Sequence, residues 1–180
     1  MTSRYTRRPR PALDQEALER LALAYVGRYA TTRSKLRSYL RRKLQERGWD
    51  GEGSAPVEQL IERFAVLGYV DDAAFASARA ASLQRRGYGE RRVAQALAAA
   101  GVGEDEAQAA RELARESAME AALRFARRKR IGPFAESKSG LEARQKAFAA
   151  MVRAGHPIEI VRQVVDAEPG EMPQPPTLRK

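Results

Sequence analysis

Hydrophobic positions in this chain recur at spacings of three and four almost from end to end, and strand-like alternation is hard to find. Leu18, Leu21, Ala22, Tyr25 and Val26 fall on one face of a first predicted helix. A second, capped by Thr31 or Thr32, carries Leu36, Leu40 and Leu44 and stops at Gly48, after which Trp49 can fold back onto the stripe. Gly51, Gly53, Ser54 and Pro56 make a loop, and Leu60, Ile61, Phe64 and Leu67 define a third helix closed by Gly68.

The same grammar returns from Asp71. Phe75, Ala76 and Leu83 lie on one helix, Gly87, Tyr88 and Gly89 form a turn, and Val93 and Leu97 lie on a helix ending at Gly101. The next helix opens on Glu104, Asp105 and Glu106, whose charge suits the positive end of a helix dipole, and shows Ala107, Ala110 and Leu113 as a weak apolar face. A third pass begins near Ser117 with Ala122, Leu123, Phe125 and Ala126 and breaks at Gly132 and Pro133. Ser139 and Glu142 have capping-box spacing. They open a helix with Ala147 and Met151 that ends at Gly155 and leads through Pro157 to Ile158, Val161, Val164 and Val165.

Gly48, Gly101 and Gly155 lie 53 and 54 residues apart, each with an apolar residue four and eight positions earlier. This is the mark of an internal repeat. The pattern predicts an all-α protein of three tandem three-helix repeats, over residues 14–70, 71–115 and 116–167, stacked as an elongated, curved array. Residues 1–13, with Arg4, Arg7, Arg8 and Arg10, read as a disordered basic arm without the apolar run of a secretory signal, and 168–180, with four prolines, as a disordered tail.

Composition narrows the chemistry. Cysteine is absent and histidine occurs once, among 180 residues, which removes thiol chemistry, disulfides and Cys/His zinc sites. Thirty-three Lys and Arg against 23 Asp and Glu give a net charge of +10, a surface suited to polyanions. No segment has the roughly 20 uninterrupted apolar residues of a membrane span. No metal, cofactor or catalytic constellation is expected, and the reading is of a soluble, cytoplasmic, monomeric protein that is not an enzyme.

The cations are grouped. Arg37, Arg41, Arg42, Lys43 and Arg47 occupy the face opposite the Leu36, Leu40 and Leu44 stripe, with few acids at helical spacing to pair them. Arg85, Arg86, Arg91 and Arg92, and then Arg124, Arg127, Arg128, Lys129 and Arg130, repeat the feature in the later units. Either these are solvated faces or they bind a polyanion, and the scarcity of interleaved aromatics favours phosphate contact over base readout. Asp71 and Asp72 are read as helix caps, the Gly87–Gly89 segment as a helix–helix turn, and His156 as a structural residue at a junction. Tyr88 is open between packing and contact.

Two connected stretches carry a resemblance. Gly68, Tyr69, Val70, Asp71 and Asp72 with Phe75 and Ala76, followed by Arg85, Arg86, Gly87, Tyr88, Gly89, Glu90, Arg91, Arg92 and Val93 with Leu97, Gly101 and Val102, resemble the central block of RecX regulators. Leu40, Arg41, Arg42, Lys43 and Leu44 are similar to that family's basic helix. The resemblance covers most of residues 16 to 166. It implies a modulator, mainly an inhibitor, that binds the RecA–DNA filament and reduces its ATPase, strand-exchange and co-protease activities in recombinational repair and the SOS response. It implies RecA as partner, and direct contact with single- or double-stranded DNA is expected as well. The candidate contact residues are Arg37, Arg41, Arg42, Lys43, Arg47, Arg85, Arg86, Tyr88, Arg91, Arg92, Arg127, Arg128, Lys129 and Arg130, those of the third unit on charge alone. The competing expectation is a free-standing DNA-binding protein of helix-turn-helix type.

Overall fold

A computed structural model describes residues 11–173. Among them are nine α-helices, one short 3-10 turn at Gly132–Phe134 and no strand, so the chain is all-helical, as the periodicity predicts. The described residues divide into two compact units, one ending at Asp72 and one beginning at Ala73.

The first unit holds α1 (Gln15–Val26), α2 (Arg33–Arg47) and α3 (Val57–Val66). Asp14 and Thr32 cap the first two by accepting from the N–H groups of Ala17 and Lys35. A second acceptor serves α2 from far along the chain: the buried Asp72 carboxylate takes the Arg33 N–H at 2.9 Å. Leu18, Ala22, Leu36, Leu40, Ile61 and Phe64 form the core. Leu13 is fully buried there and pairs with Trp49 by exchanging hydrogen bonds with Gly48 and Asp50, while Arg47 Nε donates to Pro11 O at 2.8 Å. Residues 11–13 of the expected arm are therefore pinned to the end of α2, and residues 1–10 lie outside the described residues.

In the second unit α4 (Asp72–Arg85), whose first residue closes the first unit, is followed by α5 (Glu90–Ala99) and α6 (Glu104–Glu116). Their core is small, built of Ala76, Ala80, Leu83, Val93, Leu97, Ala107, Ala110 and Ala114. Helices α7 (Ala118–Lys129), α8 (Leu141–Arg153) and α9 (Ile158–Asp166) surround Phe125, Met151, Ile160, Val161, Val164 and Val165. Tyr88 packs against both cores and joins them.

One device ends four of these helices, α3, α4, α5 and α8. A glycine takes a positive φ, and the next residue turns back to donate its N–H to the carbonyl five positions earlier. Tyr69 reaches Phe64 in this way, Tyr88 reaches Leu83, Val102 reaches Leu97 and His156 reaches Met151. The repeat glycines Gly48, Gly101 and Gly155 have φ of 81°, 68° and 93°. At the end of α7 the left-handed position falls instead on Arg130, at φ 53°.

The reversal explains where the structure departs from the apolar pattern. Leu67 lies 58% exposed, because α3 has ended and Val70, returning after Gly68, fills the core position in its place. Leu113 is also exposed, since the buried stripe of α6 runs through Ala107, Ala110 and Ala114. Ile158 is exposed and Ile160 buried. Helix α8 starts at Leu141 with Gly140 as its N-cap, so Ser139 stands one residue too early to cap it and no capping box forms. At the far end the Gly170 N–H donates to Pro133 O at 2.9 Å and Lys138 pairs with Glu168 at 2.5 Å, which ties residues of the expected tail to the 3-10 turn.

Arg130 has a side chain in a conformation that disfavours any Cβ by about 1–2 kcal/mol. Its exposed ion pair with Glu136 offsets little of this. Arg130→Gly is expected to raise the unfolding free energy by about 1 kcal/mol, read as a higher urea midpoint at unchanged m-value.

Candidate functional site

The segment that closes the second unit is the α4–α5 turn. Gly87 lies so close to α7 that a Cβ there would come within 2.7 Å of the Phe125 nitrogen. Gly89 lies against the Gly155 carbonyl, which a Cβ would overlap. Its N–H donates to Ala154 O at 3.0 Å, and the Arg91 N–H donates to Gly155 O at 3.2 Å. The two glycines spaced around Tyr88 thus serve close backbone approach between helices, as a helix–helix turn requires.

His156 completes the contact. It is buried, its Nε2 lies 3.1 Å from Gly87 O, and its ring meets Phe125 edge-on at 5.6 Å. A carbonyl can only accept, so Nε2 carries the proton and Nδ1 is bare, buried and without a partner. Burial outweighs the Gly87 hydrogen bond and lowers the ring's pKa from the ordinary 6.5 to about 4. His156 is a neutral structural latch.

Around this latch stand the basic residues of the second unit. Arg85 and Arg86 end α4, Arg91 and Arg92 begin α5, and Arg127, Arg128 and Lys129 end α7; all are exposed. The Arg128 guanidinium donates to Arg86 O and lies 5.3 Å over the Phe125 ring, which places the α7 cations beside the end of α4. Arg127 lies over Phe134 at 5.0 Å. Among the described residues none of these seven has a carboxylate partner, whereas Arg124 pairs with Glu120 and Arg130 with Glu136.

The α2 cluster is different. Arg37 grips Glu58 of α3 through both carboxylate oxygens, at 2.7 to 2.9 Å, and Arg41 reaches the same carboxylate at 3.1 Å. Arg37 holds Glu58 below the usual carboxylate range and is itself raised by the bond. Glu46 takes Lys43 at 2.5 Å and Arg42 at 3.7 Å, and Arg47 is bound to Pro11 O. The acids missing from the local spacing come partly from another helix, so much of this cluster's charge is spent inside its own unit.

Three further residues were not legible as a group. Tyr25 of α1 and Tyr39 of α2 stack at 4.2 Å with 16° between their planes, and Tyr29, just after α1, stands 5.3 Å from Tyr25. Tyr25 sits on the apolar stripe of α1, whereas Tyr39 and Tyr29 lie outside the stripes read from the sequence; only the meeting of α1 and α2 gathers the three rings. Tyr88, by contrast, is half-buried between two cores, and Asp72 is spent on α2. Among the described residues no group of His, Asp or Glu is placed to hold a metal ion, and no helix is long and apolar enough to cross a membrane.

Three-helix units closed by glycine reversals, with seven exposed cations around one turn that have no carboxylate partner among the described residues, define a helical, repeat-built protein. The family profile described as RecX, second three-helix domain, matches residues 71–110. The chain is 36% identical over 163 residues to the regulatory protein RecX of Myxococcus xanthus, covering 84% of this chain and 86% of that one. To the regulatory protein RecX of Agrobacterium fabrum it is 33% identical over 148 residues, covering 80% and 79%. The fold is shared with the crystal structure of RecX from Lactobacillus salivarius, at a TM-score of 0.61 and 16% identity over 83% of this chain and 93% of that one. A second RecX crystal structure gives 0.60 and 20% over 84% and 71%. The chain belongs to the RecX family of regulatory proteins.

The latch has a pH signature. Above pH 6.5 the ring is neutral folded or unfolded; below it the unfolded chain takes up a proton that the native site refuses down to about pH 4. Stability therefore falls with pH through that window, by up to about 1.4 kcal/mol per unit and roughly 3 kcal/mol in all. Urea unfolding followed by circular dichroism between pH 7 and 4 should show this slope, and His156→Gln should flatten it.

Proposed function

We propose that this chain binds the RecA–DNA filament and lowers its ATPase, strand-exchange and co-protease activities, acting in the cytoplasm as a monomer in recombinational repair and the SOS response. Membership of the RecX family supports the partner. The observation that carries the binding surface is the set of seven unpaired cations around the α4–α5 turn, fixed by Gly87, Gly89, Gly155 and His156. A turn whose backbone is already fixed adds no backbone ordering cost on binding, which leaves only that of the exposed side chains. Exposed guanidinium groups at the ends of α4, α5 and α7 suit phosphates, or acidic side chains on a filament subunit.

The same turn weighs against a helix-turn-helix reader. Such a reader offers the start of its second helix to DNA. Here the backbone at that start is packed against the end of α8, with the N–H groups of Gly89 and Arg91 on the carbonyls of Ala154 and Gly155 and Gly155 against the backbone of Arg92, so that only the exposed side chains of Arg91 and Arg92 face outward.

The test is the single-stranded-DNA-dependent ATPase rate of RecA titrated with this protein, beside its binding to the same DNA alone. Inhibition at concentrations too low to coat the bare DNA supports action on the filament, and inhibition only on coating supports plain DNA binding. Replacing Arg85, Arg86, Arg91 and Arg92 together by Gln should shift the titration by at least about tenfold while leaving helicity intact. An unshifted titration removes this turn from the interface.

A further inference from the structure

The tyrosine group of the first unit is unlike the rest of the basic surface. Tyr25 and Tyr39 rest partly on the core, but Tyr29 is 51% exposed and belongs to no core cluster. Its ring closes one side of a shallow depression between the end of α1 and the exposed face of α2. Cations stand over the same rings: Arg28 lies 5.8 Å from the centre of Tyr29, and Arg42 and Lys43 lie 5.7 and 5.9 Å from the centre of Tyr39. Glu46 is shared by Arg42 and Lys43, while Arg28 has no carboxylate partner among the described residues.

We propose that this depression is a binding site for single-stranded nucleic acid, with a base stacking on Tyr29 and phosphates held by Arg28, Arg42 and Lys43. The argument is one of matched chemistry. Exposed aromatic rings beside cations fit a ligand that alternates flat π-faces with negative charge, and base–aromatic stacking tolerates any sequence because every base has a π-face. A duplex hides those faces and would meet only the cations. An acidic peptide would likewise use the cations and leave the ring idle. The site deepens the reading that this chain works on a nucleoprotein filament, yet it is tested on bare oligonucleotide, so the two can fail separately.

The measurement is the affinity of the full chain for labelled oligothymidylate and for a duplex of equal length, over a range of salt. Tyr29→Ala should weaken the single strand about five- to a hundred-fold and leave the duplex unchanged. Tyr29→Phe and Tyr29→Trp should keep the affinity, which a merely local packing role for the hydroxyl would not explain. Arg28→Gln should lower the log–log salt slope by about 0.7, while Tyr29→Ala leaves the slope alone. Equal losses on both nucleic acids, no loss on either, or no measurable binding of the wild-type chain to the single strand overturns the site. So does a Tyr29→Ala variant that loses filament binding but keeps the bare oligonucleotide, because the ring then serves a protein. If the Tyr29 pattern holds while RecA ATPase is untouched, the site stands and the filament reading falls.

Discussion

The second unit depends on one contact, the hydrogen bond from the buried His156 ring to the Gly87 carbonyl, with the backbone bonds from Gly89 and Arg91 to Ala154 and Gly155 beside it. Two helix ends that are 69 residues apart in sequence are thereby closed onto each other. The contact is possible because both ends are glycine reversals, which bring bare backbone to the surface of each helical layer. Any side chain at Gly87 or Gly89 would meet the backbone of the opposing element. The alanine-rich core under α4 to α6 buries little apolar volume per residue, so its union with the richer core of α7 to α9 through Tyr88 gives the unit its mass of hydrophobic contact.

That contact also orders the charge. Arg85, Arg86, Arg91 and Arg92 flank the reversal, and Arg128 hooks onto the Arg86 carbonyl, so structural and electrostatic features share one short segment. The first unit solves a different problem with the same residue type. Its α2 arginines are drawn to Glu58 and hold α3 against α2, which trades outward charge for internal fixation. Counting basic residues along the chain would rank the two clusters alike; their partners separate them.

The two units present two kinds of surface. The turn in the second is rigid and carries charge without exposed rings, since Tyr88 is committed to packing. The depression in the first carries rings with charge, assembled from the end of one helix and the face of the next. The filament binding proposed above would use both, one for backbone charge and one for unpaired bases.

The sequence by itself determined the helical class, the period of the repeat, the glycine helix ends and the structural use of His156, because these are consequences of local spacing and of residues with few conformational options. It also carried the family, through the blocks around Gly68–Phe75 and Arg85–Val102. Tertiary structure alone decided which apolar residues are core. Val70 replaces Leu67 and Ala114 replaces Leu113, since a reversal or a small rotation of a helix changes burial without changing periodicity. It decided which cations are neutralised, because Glu58 reaches Arg37 and Arg41 of α2 from 21 and 17 residues away, and it supplied α2 with a distant cap, the Asp72 carboxylate on the Arg33 N–H. It also gathered Tyr25, Tyr29 and Tyr39, whose rings meet only once α1 and α2 are packed, by a contact in space that no spacing along the chain encodes.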